Sequence, residues 1–260
     1  MTKLRDAIYG FAVADALGVP FEFKGRGTFI CDDMIGFGSW NQEAGTWSDD
    51  TSMTLATCKS IKDKKKIDIE DIRKNFKSWL FNDEFTANGE TFDVGMTTRD
   101  ALMEDRGIDD FYANGNGSLM RILPLAFTDA SDNEIEEVSG ITHAHEISKK
   151  ACLDYVHLAR KLIAGEKLED LGFGEIKKKN EDEIQSTGFV LHTLEASIWC
   201  ILNTSSYKEA VLKAVNLGDD TDTTVAVTGG LAAIIYGYDK IPRKWIDKLK
   251  NKKLIDDCLF

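Results

Sequence analysis

The sequence is poor in proline, in basic residues relative to acidic ones, and in long hydrophobic segments, and each shortage excludes a class of protein. Only three prolines occur in 260 residues, so little interrupts helix formation. No window approaches about 18 uninterrupted apolar residues, so no membrane-spanning helix is expected. The formal net charge of -12 argues against a broad nucleic-acid-binding surface.

Cysteine usage points to a reduced protein. The chain has five cysteines, odd in number and far apart: Cys31, Cys58, Cys152, Cys200 and Cys258. No Cys-x-x-Cys pair occurs, so neither a zinc knuckle nor a disulfide framework is supported. The start, Met-Thr-Lys-Leu-Arg-Asp, places an acid before a short apolar stretch and does not resemble a secretory signal. We therefore expect a cytoplasmic protein with no membrane or nucleic-acid partner.

Apolar residues recur mainly at three- and four-residue intervals, and alternating strand patterns are scarce. Helices are predicted over residues 4–17, 49–61, 68–81, 93–105, 118–127, 141–164, 187–202, 207–215, 220–236 and 242–250. Without a linker, repeat or composition break, the pattern predicts one compact all-α domain over residues 1–260. Two Gly-rich loops, 22–48 and 114–117, become candidates for lining a site, because long loops in compact domains are often functional.

A first acidic cluster opens a predicted helix with the segment Ser48-Asp49-Asp50-Thr51. Ordinary capping is one interpretation, because serine is a preferred N-cap residue and acids in the first turn complement the helix dipole. Metal binding is the other interpretation, because carboxylates that converge attract divalent cations. This cluster alone does not decide between the two interpretations.

A second acidic cluster, Asp219-Asp220-Thr221-Asp222-Thr223, also opens an apolar helix, and its three acids exceed what capping requires. In a regular helix Asp222 would point about 200° away from Asp220. Convergence of the two carboxylates therefore requires Asp220 to lie at a non-helical cap, which the preceding Gly218 makes easy.

The residues that follow the second cluster are small or β-branched, which indicates a central, closely packed helix. Ionised carboxylates at the start of such a helix are costly to bury, and a divalent ion compensates them. Carboxylate and hydroxyl donors without a thiolate favour Mg²⁺ or Mn²⁺ over zinc. Two such clusters in one chain make metal binding the better interpretation of both.

Five segments in a fixed order carry a resemblance to a known family. They are Gly10-Phe-Ala-Val-Ala-Asp15-Ala-Leu-Gly18 with Glu22, Trp47-Ser48-Asp49-Asp50-Thr51-Ser-Met53, Gly115-Asn116-Gly117-Ser118-Leu-Met120-Arg121, Thr142-His143-Ala-His145, and Gly218-Asp219-Asp220-Thr221-Asp222-Thr223 with Gly229-Gly230. Together they span most of the chain, which resembles the ADP-ribosylglycohydrolase family. The resemblance implies an orthogonal all-α fold, a binuclear Mg²⁺ or Mn²⁺ centre in a cleft, and hydrolysis of an ADP-ribosyl bond.

The resemblance also implies residue roles. Two sets of metal ligands match by motif position: Ser48, Asp49 and Asp50 in one, and Asp220, Asp222 and Thr223 in the other. By motif position, five residues correspond to the family's substrate-contacting loop: Gly115, Asn116, Gly117, Ser118 and Met120. His143 corresponds to a histidine that contacts the substrate. Asp49 or Asp50 would direct or deprotonate the attacking water, while Glu22 would shuttle a proton at the acceptor side.

The chain departs from the usual family pattern at three places. Ala14 stands where a glycine is usual, and Asp219 occupies the second place of a frequent Gly-Gly pair. No aromatic residue immediately precedes the Gly115 loop, which leaves Phe111 or Tyr112 as candidates for stacking on adenine. All six expected ligands are present.

Several alternatives stay open at this point. The expected partner is an ADP-ribosylated protein, with arginine as the first choice of acceptor, but a serine linkage or a small ADP-ribosyl compound would also fit. An isoprenoid synthase requires Asp-Asp-x-x-Asp, whereas the segment from Asp49 ends in Met53. A non-catalytic ADP-ribose-binding or structural protein of the same fold is the third possibility. The oligomeric state is not indicated.

Overall fold

Helices make up almost all regular structure in the computed structural model, which describes residues 3–260. The described part of the chain contains twelve α-helices joined by loops and short 3-10 turns. They are α1 Lys3–Gly18, α2 Asp49–Lys64, α3 Ile69–Asn82, α4 Met96–Glu104, α5 Asp132–Gly140, α6 Glu146–Ile163, α7 Gly174–Lys178, α8 Val190–Leu202, α9 Tyr207–Val215, α10 Thr221–Tyr236, α11 Arg243–Lys248 and α12 Lys252–Cys258. The all-α prediction is confirmed, since β-structure within residues 3–260 is limited to isolated bridges.

Helices α1 and α10 form the centre of the fold, with 13 and 14 of their 16 residues buried. They approach each other closely, since a Cβ on Gly229 would lie 2.4 Å from Cβ of Ala14. A Cβ on Gly18 would lie 2.4 Å from Cα of Asp222. Neither position has room for a side chain. This packing places the C-terminal end of α1 against the N-terminal end of α10.

Asp15 fixes the start of α2 beside α1. Its carboxylate accepts hydrogen bonds from the Ser48 N–H at 2.9 and 3.1 Å, the Thr51 N–H at 3.0 Å and the Thr51 hydroxyl at 2.5 Å. These bonds satisfy donors that the first turn of a helix leaves unpaired. The first turn of α2, with Asp49 and Asp50, is therefore anchored next to the ends of α1 and α10.

The helix predicted over residues 118–127, which Pro124 is expected to kink or shorten, is not an α-helix. Two 3-10 helices, Leu119–Arg121 and Leu123–Phe127, occupy this segment instead. Pro124 stands in the first turn of the second one, where its missing N–H and fixed ring are tolerated. The proline therefore divides the segment and prevents a continuous α-helix.

The helix predicted over residues 141–164 begins later than expected, at Glu146. A separate helix, α5, precedes it and is absent from the predicted set, although Ser131 and Glu134 form the capping box that opens it. The turn between α5 and α6 carries His143. No helix within residues 3–260 has both the length and the apolar character needed to cross a membrane.

Candidate active site

Carboxylates from distant parts of the chain converge where α1, α2 and α10 meet. Oxygens of Asp15, Asp50 and Asp222 lie within 4.8 Å of one another, and so do oxygens of Glu22, Asp93 and Asp222. Asp222 belongs to both groups, so the acids form one continuous cluster. The two acidic segments identified in the sequence are therefore brought together by the fold.

The cluster is buried, and its members repel one another. Asp50 is fully buried, and neither of its carboxylate oxygens has a hydrogen-bond partner; one oxygen each of Asp220 and Asp222 is also unpartnered. Burial, followed by repulsion from Asp222, raises the pKa of Asp49 well above its ordinary value. Burial and the neighbouring Asp15 do the same for the pKa of Asp50. Buried, unpartnered carboxylate oxygens are the ligands that a hard divalent cation requires.

Asp220 is the N-cap residue of α10, with φ -83° and ψ 80°, so the non-helical position predicted for it is confirmed. Gly218 precedes it with φ 78° and lies so close to the 24–26 loop that a Cβ would be 2.6 Å from the Arg26 nitrogen. The Thr223 N–H donates to Asp222 at 3.0 Å. This turn places Asp222 in the cluster and Asp220 close enough to repel it, which, after burial, contributes to the raised pKa of Asp222.

The loop that carries Glu22 is held against the start of α10 by two backbone hydrogen bonds. The Phe23 N–H donates to the Asp219 carbonyl at 2.7 Å, and the Asp219 N–H donates to the Lys24 carbonyl at 2.8 Å. Glu22 itself accepts a hydrogen bond from the indole N–H of Trp40. Burial, then repulsion from Asp222, raises the pKa of Glu22 to about 9.

Asp93 is a member of the cluster that sequence reasoning missed. Burial and repulsion from Asp49 raise the pKa of Asp93 well above its ordinary value. The sequence places it at the start of a predicted helix, but α4 begins only at Met96, and Asp93 adopts a left-handed backbone with φ 55°. It has no acidic neighbour in sequence, so no local signal marks it as a site residue.

The predicted substrate loop borders the cluster through Asn116. The side-chain amide of Asn116 donates to Asp220 at 2.9 Å and to Thr193 at 2.9 Å, while its backbone N–H donates to the Gly188 carbonyl at 2.9 Å. These contacts fix the position of the loop relative to the acids. The loop therefore extends the candidate site beyond Asp220.

The glycines of this loop give room to the ring of His143. A Cβ on Gly117 would lie 2.7 Å from Cε1 of His143, whereas a Cβ on Gly115 would lie 3.6 Å from its Nε2. Ser118 and Met120 face inward instead: the Ser118 hydroxyl accepts a hydrogen bond from Ser139 at 3.0 Å, and Met120 belongs to the core. Of the predicted loop residues, Gly115 and Gly117 therefore lie against the ring of His143.

A chain of hydrogen bonds connects Arg121 to His143. Arg121 donates to the Thr142 hydroxyl oxygen at 2.7 Å, and that hydroxyl lies 2.8 Å from Nδ1 of His143. Because the arginine can only donate, the threonine proton is free to point to Nδ1, and we predict that the imidazole proton is then on Nε2. Burial, then the charge of Arg121, lowers the pKa of His143 to about 3, so the imidazole is neutral.

The sequence profile of the ADP-ribosylglycohydrolase family matches residues 1–259. The chain belongs to the ADP-ribosylglycohydrolase family. It is 33% identical to an ADP-ribosylarginine hydrolase of Serratia proteamaculans, over 99% of this chain and 78% of that protein. It is 31% identical to the ADP-ribosyl-dinitrogen reductase glycohydrolase of Rhodospirillum rubrum, over 95% of this chain and 90% of that protein.

A solved structure described as an ADP-ribosylglycohydrolase-related protein complex shares the fold, with a TM-score of 0.84 at 28% identity, over 98% of this chain and 95% of that one. This ADP-ribosylglycohydrolase is thus a glycosidic-bond hydrolase, and the resemblance inferred from five motifs is confirmed. Its acidic cluster is suited to a metal ion. The family match excludes the isoprenoid synthase alternative.

Proposed function

We propose that this ADP-ribosylglycohydrolase removes ADP-ribose from arginine side chains of proteins and uses two Mg²⁺ or Mn²⁺ ions. The observation that carries the proposal is the convergence of Asp50 and Asp222, one from each acidic segment, with buried oxygens that have no hydrogen-bond partner. The arginine acceptor is supported by relatives in Serratia proteamaculans and Pseudomonas putida that are named ADP-ribosylarginine hydrolases. The whole chain, 1–260, would act as one catalytic domain.

The residues present fit two oxygen-preferring ions. We assign as ligands Ser48, Asp49, Asp50, Asp220, Asp222 and Thr223. Of these residues, Asp50 and Asp222 have carboxylate oxygens within 4.8 Å of each other. Asp15 already accepts hydrogen bonds from α2, so it orients the ligands of the first turn. When bound, such ions polarise a ribose oxygen and lower the pKa of a water molecule.

Two side chains of this enzyme are placed to move protons. Asp49 retains 7% exposure, whereas Asp50 is fully buried, so Asp49 is the better acceptor for the proton of the attacking water. Glu22 lies at the edge of the cluster and keeps a proton readily, because its surroundings disfavour the charged form. It would deliver that proton to the departing acceptor.

The substrate's ADP-ribose would lie along the Gly115–Gly117 loop. The Nε2–H of His143, held neutral beneath these glycines, is a donor for a ribose or phosphate oxygen. Glycines at both ends of this loop let a diphosphate approach the backbone, so an acidic protein can bind this anion without a basic patch. Ser118 and Met120 support the loop from the core side.

The test is hydrolysis of arginine-linked and serine-linked ADP-ribosyl peptides with Mg²⁺ or Mn²⁺. Asp49→Ala and Asp222→Ala should abolish turnover while circular dichroism shows an unchanged helix content. Asp63→Ala, on the exposed face of α2, is the matched control and should keep full activity. Full activity of either site variant would contradict its role. Turnover of the serine-linked peptide alone would contradict the arginine acceptor, and tight ADP-ribose binding without any turnover would indicate a non-catalytic binder.

A further inference from the structure

Three aromatic side chains lie in a row, and Trp40 in the middle of the row contacts Glu22. We call Phe23, Trp40 and Phe92 the aromatic wall. The ring centroids of Trp40 and Phe92 are 5.7 Å apart, and those of Phe23 and Trp40 are 6.1 Å apart. Phe23 is 69% exposed, while the other two rings are partly buried. The wall is therefore an exposed apolar surface directly beside the acidic cluster, and neither the metal ligands nor the Gly115 loop accounts for it.

Phe23 is held in an unfavourable backbone conformation. Its φ of 64° lies in the left-handed region, which is rare for an aromatic residue and costs free energy. The hydrogen bond from its N–H to the Asp219 carbonyl maintains this conformation. Phe23 therefore combines a strained backbone with a solvent-exposed ring. Backbone strain of this kind is common at binding sites.

The wall stands beside two carboxylates. Trp40 donates its indole N–H to Glu22, and Phe92 directly precedes Asp93 in the chain. Aromatic faces attract cations, and a planar guanidinium stacks on a ring while its N–H groups donate hydrogen bonds to nearby oxygens. A neutral acceptor gains no cation–π attraction. The chemistry of this surface therefore suits an arginine side chain.

We infer that the aromatic wall binds the guanidinium of the acceptor arginine through cation–π contacts and sets acceptor specificity. The inference rests on the proposed hydrolysis of ADP-ribosylarginine. The wall and the Gly115 loop contact different members of the cluster, since Trp40 bonds to Glu22 and Asn116 bonds to Asp220. A substrate whose ADP-ribose follows the loop can therefore present its acceptor to the wall.

Binding can be measured without turnover, because Trp40 is the one partly exposed tryptophan of the five; the other four are at most 3% exposed. Protein saturated with Mg²⁺ and ADP-ribose is titrated with agmatine, a guanidinium on an aliphatic chain, while tryptophan fluorescence is recorded. Pentanamide, which is neutral and of similar length, is the control ligand. Agmatine should give a saturable change that Trp40→Phe removes or strongly reduces, and pentanamide should give none.

Phe92→Leu removes an aromatic face and keeps Trp40, the hydrogen-bond partner of Glu22. It should weaken agmatine binding and lower kcat/KM for an arginine-linked peptide by about 2- to 30-fold, the range expected for one cation–π contact. Phe173→Leu changes a ring that is likewise partly buried but stands before α7, outside the acidic cluster and the substrate loop, and is the matched control, with agmatine binding unchanged.

Two results would overturn the inference: equal fluorescence responses to agmatine and pentanamide, or unaltered agmatine binding and arginine-linked turnover in Phe92→Leu. Failure of the proposed function looks different. In that case the wild-type protein hydrolyses no arginine-linked peptide, while the difference between agmatine and pentanamide still tests the aromatic wall. Loss of agmatine binding in Phe92→Leu would support the wall in either case.

Discussion

Divalent cations should raise the melting temperature of this protein, and the effect should grow with pH. Burial, then repulsion from Asp222, raises the pKa of Glu22 from 4.5 to about 9, and the pKa values of Asp49, Asp50 and Asp222 are also raised. The folded protein therefore binds protons that the unfolded chain releases. The contribution of these carboxyl groups to the stability of the metal-free protein is therefore fully present below about pH 4 and is lost as pH rises towards about 9.

The expected size of the shift follows from mass action. An ion present at about 100 times its Kd adds about 2.7 kcal/mol to the free energy of unfolding. A chain of 260 residues unfolds with an entropy of roughly 0.55 kcal/mol per kelvin, so one occupied site raises Tm by about 5 °C. Two occupied sites would raise it by about 10 °C.

Differential scanning fluorimetry with EDTA, Mg²⁺ or Mn²⁺ at about pH 5.5, 7 and 8.5 measures this effect, with NaCl at matched ionic strength as the salt control. Asp50→Asn removes a buried charge, so it should stabilise the metal-free protein and reduce the response to the ions. Asp63→Asn, on the same helix but exposed and paired with Lys59, should respond like the wild type. Equal Tm values in EDTA and Mn²⁺ at the highest pH would refute the reasoning.

Three further predictions concern the packing around the site. In steady-state kinetics Gly117→Ala should raise KM about tenfold, roughly 1.4 kcal/mol, by displacing the ring of His143, whereas Gly115→Ala should change it little. Thr142→Val should abolish the single Nε2–H tautomer of His143 in ¹⁵N NMR spectra, and Thr142→Ser should restore it. Gly229→Ala should lower the free energy of unfolding in urea by about 1–3 kcal/mol, because its Cβ overlaps α1.

Local periodicity is enough to predict most helices. Helix α9 has the predicted bounds, Tyr207–Val215, and α10 begins one residue after the predicted start. Helix α5 escapes prediction because its nine residues bury few apolar side chains, although the Ser131 capping box is a usable signal. Periodicity detects long amphipathic faces well, and short helices defined by their caps poorly.

Site residues can be predicted where several acidic residues lie close together in the sequence. They cannot be predicted where a single residue reaches the site from a loop. Runs of adjacent acids mark Asp49, Asp50 and Asp222 as candidates from the sequence alone. Asp93 and Trp40 each stand alone in the sequence and reach the cluster only through the path of their loops. No rule of spacing relates such residues to their partners, because the relation exists only in three dimensions.

The packing of the core and the geometry of the acidic cluster are determined by the same contacts. Ala14 of α1 lies opposite Gly229 of α10, and a Cβ on that glycine would be 2.4 Å from the Cβ of Ala14. Four residues later on α1, Gly18 lies against the backbone of Asp222. A larger residue along this line would move α10 away from α1 and carry Asp222 out of reach of Asp50. The small residues of α1 and α10 are therefore required for the position of the acids as well as for stability.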